Sequence, residues 1–169
     1  TPVQNVEAGD LLINEFVASG STQMNEFGTD EDWFEIYNPG TDTIFLSAFQ
    51  WFFSDDLTNL TKYTLPIDTF IAPNSHLMVW CDNLDQVATQ IHTSFGLSGT
   101  GEDIAITYQN TDGILVTIDS YTYTNAPSGK SLGREMDGAA NWVEFDVPTP
   151  NAPNQQTIIN PPLVIDSAV

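Results

Sequence analysis

Basic residues are almost missing from this chain. Its 169 residues carry 23 acids against three bases, Lys62, Lys130 and Arg134, for a formal charge of −20. Nucleic-acid binding draws most of its affinity from Lys and Arg on phosphates, and three cations do not supply that, so a direct nucleic-acid role is excluded. Binding to an anionic membrane surface falls on the same ground. A cation, a neutral ligand such as a sugar, or a protein partner remains, although acidity that only keeps the protein soluble accounts for the charge equally well. Cys81 is the single cysteine, so no intrachain disulfide forms. Its place in the run HLMVWC predicts a small buried thiol with no basic neighbour to activate it. No apolar run approaches the ~20 residues of a membrane helix. The opening TPVQNVEAGD is polar, which predicts either a cytosolic chain or one whose leader has been removed.

Enzyme motifs are scarce as well. There is no G-x-S-x-G elbow and no C-x-x-C, and the two histidines, His76 and His92, do not form an H-E-x-x-H pair. Gly129-Lys130-Ser131 has the end of a phosphate loop, but Thr124 stands where its first glycine belongs. His76, after the APNS turn, is expected as an exposed histidine at a strand start. His92 has no partner ligand close to it in sequence.

Long 3.6-residue periodicity is also absent, and strand patterns take its place. LLINEF (Leu11 to Phe16), DWFEIYN (Asp32 to Asn38), QWFFS (Gln50 to Ser54), HLMVWC (His76 to Cys81), DIAITY (Asp103 to Tyr108) and ILVTIDSYTY (Ile114 to Tyr123) are short and rich in aromatic and branched residues. NPGTD, SDDLTN, APNSH, NTDG and APSGKS separate them as turns, and Asp112–Gly113 marks a hairpin. The spacing predicts an all-β fold, a β-sandwich. LDQVATQIHT (Leu84 to Thr93) reads as the one helical turn. Residues 1–9 read as a linker, 10–154 as the domain and 155–169 as an extended tail. Five of the ten prolines fall between Pro148 and Pro162, so strands should close near Phe145. The apolar Leu163 to Ile165 could add an edge strand or open a further module.

Two kinds of site can be built from these residues. On a period-2 strand Phe34 and Ile36 face the core, while Trp33, Glu35 and Tyr37 share the other face. Two rings bracketing a carboxylate could stack a sugar and accept a hydroxyl hydrogen bond; a face half covered by a loop is the structural alternative. Trp51 with Phe53 makes a similar pair. Glu35 is also the best single candidate for a glycosidase carboxylate, which would need a partner carboxylate about 5–9.5 Å away. Oxygen-rich loops at Asp30-Glu31-Asp32, at Asp55-Asp56 with Asn59, and at Asp82-Asn83 with Asp85 could hold calcium, though none has EF-hand spacing; solvated loop acids are the alternative. No other cofactor is implied.

The strand blocks in order resemble bacterial lamin-tail domains. LLINEFVASG followed by DEDWFEIYNPGTDTIFLSAFQWFFSDD is similar to "INE…DWIELYN…LSGW.LSDD". KYTLPIDTFIAPNSHLMVWCD, IHTSFGLSGTGEDIAITYQNTDGILVTIDSYTY and SLGREMDGAANWVEFDVPTPNAPN continue the likeness through Asn154. The resemblance implies an immunoglobulin-like β-sandwich in a secreted or surface-attached setting, and it transfers no catalytic residues. The expected function is therefore a non-catalytic interaction or accessory module with an unknown protein or glycan partner. A carbohydrate-binding module is the alternative, then a calcium-stabilised adhesion domain.

Overall fold

The computed structural model describes residues 6–65 and 69–155. Thirteen strands follow in chain order among them: β1 (Leu12–Val17), β2 (Trp33–Tyr37), β3 (Ile44–Phe45), β4 (Gln50–Ser54), β5 (Tyr63–Thr64), β6 (Phe70–Ile71), β7 (His76–Trp80), β8 (Gln86–Val87), β9 (Ile91–His92), β10 (Glu102–Gln109), β11 (Leu115–Tyr123), β12 (Ser131–Arg134) and β13 (Trp142–Phe145). Seven form one sheet in the order β13-β12-β1-β2-β7-β9-β8, and four form a second in the order β11-β10-β4-β5; β3 and β6 pair separately. The β10–β11 hairpin turns where NTDG predicts it. Asn110 Oδ1 accepts hydrogen bonds from Asp112 N and Ile114 N, and Gly113 takes the φ of +76° that the turn demands.

The two larger sheets close over one core that holds the five inward residues expected from strand alternation, Phe34, Ile36, Val79, Ile104 and Ile106, all fully buried. Phe34 of one sheet meets Phe53 of the other edge-on, with ring centroids 5.3 Å apart. Trp51 lies in the same core, so the Trp51–Phe53 pair is packing and not a ligand platform. Cys81 is buried as expected. This all-β architecture is the immunoglobulin-like sandwich.

Three local expectations change. Leu84 to Thr93 forms no helix: Asn83 and Asp85 take positive φ (62° and 49°), which stops one, and β8 and β9 pair with each other while β9 runs parallel to β7. Residues 6–9, read as linker, are tied to the sandwich, because Val6 is buried and its carbonyl accepts Tyr108 OH at 3.0 Å. After β13 the chain leaves the sheet as its prolines require, yet it folds back across the outer face of β1 and β2 as a strap. Leu163 to Ile165 lie outside the described residues.

Candidate functional site

The strap covers a polar cluster that begins with an irregularity in β1. Ile13 pairs with Ile36 and Glu15 with Glu35, so Asn14 is an extra residue in the ladder. Such a bulge turns two neighbouring side chains to the same side. Ile13 and Phe16 therefore both enter the core, and Asn14 and Glu15 both reach the outer face, where Glu35 lies opposite Glu15. All three polar residues are fully buried.

The strap supplies most of the donors they need. Thr149 gives Glu15 its backbone N–H at 3.0 Å and its hydroxyl at 2.7 Å, and the Ser131 hydroxyl adds a third bond. Asn151 N–H donates to Glu35 Oε2, and Asn14 Nδ2 lies 3.4 Å from Oε1. Asn154 sends its amide to the carbonyls of Asn14 (3.0 Å) and Arg134 (2.7 Å), and its N–H to Asp137 Oδ1 (2.8 Å). Gly133 leaves the room for this: a Cβ there would stand 3.1 Å from both Asn14 O and Asn154 Nδ2.

Burial pushes the Glu35 carboxyl up to about 8, with the Glu15 and Asp137 carboxylates adding to the push and Asn151 N–H and the Asn14 amide opposing it. His76 Nε2 approaches Asp137 Oδ2 at 3.2 Å and Glu35 Oε1 at 3.9 Å, within ion-pair range but off the line of a hydrogen bond. The histidine expected to be exposed at this strand start instead stands at the edge of a carboxylate cluster, its side chain 8% exposed. A raised glutamate opposite a second carboxylate has the makings of an acid–base pair. Here the strap stands between it and any substrate.

The sugar-stacking arrangement of Trp33, Glu35 and Tyr37 does not form. Strand alternation is as expected, but β2 lies mid-sheet and is covered on both faces. Trp33 is fully buried against Val17, Trp80 and Met78, Glu35 lies beneath Asn151, and Tyr37 is 8% exposed with its hydroxyl on Asn74 Oδ1. A groove of about 370 Å³ lies beside the cluster, lined by Phe70, His76, Met78, Gln90 and Asn151 among others.

The acidic loops part company as well. Asp55 is buried and clamped by Lys62 Nζ at 2.5 and 2.7 Å, while Asp56 accepts the N–H and hydroxyl of Thr58 and caps a turn that Asn59 closes with its N–H. Asp30 is exposed. Burial and the Asp82 and Asp30 carboxylates raise Glu31, and burial with Glu31 beside it lifts Asp32 to about 6. Asp82 is taken by His92, whose fully buried ring puts Nδ1 2.6 Å from Asp82 Oδ2 and Nε2 3.1 Å from Glu26 Oε2. Burial would raise Glu26, but bonds from the Thr89 hydroxyl, Thr89 N, Gln90 N and His92 outweigh it and hold the carboxyl at about 2. Among the described residues no group of three or more His, Cys, Asp or Glu side chains is arranged to hold a metal ion.

Sequence reasoning missed Asn14, Glu15, Asp137, Thr149, Asn151 and Asn154 as members of the cluster around Glu35, and Glu26 as a partner of His92. One signal was present: two adjacent polar residues inside INEF break the period of two, which marks a bulge. No curated protein matches the chain. The sequence model for the lamin tail domain matches residues 4–125, ending before β12 and the strap, although β12 pairs with β1. With well over half its length matched, the chain belongs to the lamin tail domain family.

Proposed function

We propose that this domain is a non-catalytic interaction or accessory module that works outside the cell. The observation that supports this most is the closure of its carboxylate cluster: Glu15 and Glu35 are fully buried and hydrogen-bonded by the strap, so the groups best suited to chemistry are committed to holding the fold. The outer surface is then what a partner meets. A labelled domain bound to intact cells before and after protease or periodate treatment tests the reading. Binding lost to protease and kept after periodate supports a protein partner, and no saturable binding to any cell surface overturns the module reading.

A carbohydrate-binding role is the second reading, moved from β2 to the groove. There Phe70, 57% exposed, offers a ring face beside the amides of Gln90 and Asn151. Periodate-sensitive, protease-resistant binding that Phe70→Ala removes would favour it.

A further inference from the structure

At one end of the sandwich two loops are stitched together by polar contacts around the buried His92 ring. Asn25 Nδ2 donates to Asp82 Oδ2 at 3.3 Å, His92 joins Asp82 to Glu26, and Glu26 holds Thr89 N and Gln90 N at 2.8 and 3.1 Å. This base carries exposed apolar side chains. Met24 is 66% exposed, Phe27 is 53% exposed with its ring 5.2 Å from that of His92, and Leu84 is 46% exposed, its N–H held by Asp82 Oδ1. Apolar groups held outward on a well-bonded base mark contact surfaces more often than isolated exposed residues do.

The charge around them is of one sign. Asp30, Glu31, Asp32 and Asp85 lie on the same two loops. The three bases of the chain are paired elsewhere: Lys62 with Asp55, Lys130 with Glu144 and Asp146, and Arg134 with Asp119. Burial first and neighbouring acids next raise the Glu31 and Asp32 carboxyls, with His92 opposing the shift at Glu31. A small cation would answer the charge and leave Met24, Phe27 and Leu84 unexplained.

We propose that this loop end is a docking surface for a cationic protein segment carrying apolar anchors, with Met24, Phe27 and Leu84 receiving the anchors and the surrounding acids the charge. The proposal rests on the interaction-module reading and names the partner's chemistry. Charge complementarity steers the segment in, and burial of its apolar groups holds it.

The test titrates the full chain with three synthetic 12-residue peptides, alternating Lys–Leu, Lys–Ser and Glu–Leu, by fluorescence anisotropy at physiological salt. The Lys–Leu peptide should bind at least about tenfold more tightly than Lys–Ser, since one well-buried anchor accounts for that factor. Met24→Ser and Leu84→Ser should each weaken it several-fold, and Asp30→Asn with Glu31→Gln should flatten its salt dependence. Ile114→Ser with Met136→Ser, at exposed apolar residues outside these two loops, should change nothing. Phe27→Leu, which keeps an apolar group on the His92 ring, should retain binding if Phe27→Ser proves unstable. Equal binding of Lys–Ser and Lys–Leu, or equal weakening by the Ile114 and Met136 changes, overturns the proposal. So does displacement of the peptide by millimolar calcium beyond the effect of sodium at matched ionic strength. If the loop-end variants lose nothing while protease-sensitive cell binding persists, this surface is wrong and the module reading survives.

Discussion

Replacing Glu35 by Gln should change how stability depends on pH. Glutamate in the unfolded chain ionises near 4.5, whereas folded Glu35 is held at about 8, by burial first and by Glu15 and Asp137 next. Between those values the unfolded chain has released the proton and the folded chain keeps it. Folding therefore takes up a proton, and stability falls as pH rises, by up to about 1.4 kcal/mol per pH unit. From pH 5 to pH 8 the loss attributable to Glu35 comes to roughly 4 kcal/mol, a large share of the 5–15 kcal/mol that holds a small domain folded. Glu35→Gln keeps an oxygen for the Asn151 N–H and removes the titration. Urea unfolding followed by tryptophan fluorescence, with Trp33, Trp51 and Trp80 buried as reporters, gives the stability of both proteins at each pH. Asp32, at about 6, also titrates in this window, and Glu26, at about 2, titrates below it; both are common to the two proteins and cancel in the difference. The stability of the variant minus that of the parent should rise by several kcal/mol from pH 5 to pH 8. A constant difference would mean that Glu35 is ionised in the fold, and the account of the sealed cluster would fail.

Other consequences can be measured as directly. Ile36→Ala, in the middle of β2 and fully buried, should cost about 2–5 kcal/mol in chemical denaturation. A chain ending at Asp146, which lacks Thr149, Asn151 and Asn154, should melt well below one ending at Gln155, because Glu15 and Glu35 lose their strap donors; equal melting by calorimetry would show the strap to be an ornament of the surface. Thr149→Val removes the hydroxyl's bond to Glu15 and its longer contact with Asn154 Oδ1 but keeps the N–H bonds, and should destabilise by about 1–3 kcal/mol, read from the shift in urea midpoint. Millimolar calcium should give the same melting curve as sodium at matched ionic strength, because Asp55 is held by Lys62 and Asp82 by His92; a calcium-specific rise removed by Asp30→Asn with Asp32→Asn would restore the metal reading.

The all-β class, the strand segments, the Asn110–Gly113 turn and the inward face of β2 were legible in the sequence because each depends on short-range terms. Alternation of Phe34 and Ile36 with their neighbours records which side of a strand meets a core, and turn residues record local backbone geometry. What covers the other side of a strand is not a local property. Trp33 and Tyr37 looked available because nothing near them in sequence covers them; β2 sits mid-sheet, and Trp80, Met78 and the strap arrive from far along the chain. Charge behaved in the same way. Asp30, Glu31 and Asp32 are adjacent in sequence and, among the described residues, belong to no group arranged to hold an ion, whereas Glu15, Glu35 and Asp137 are spread over 122 positions and share one buried cluster. Composition set the excess of acid over base. Only the tertiary structure decided which carboxylates are desolvated and bonded and which stay at the surface, because desolvation and hydrogen bonding act through space and not along the chain.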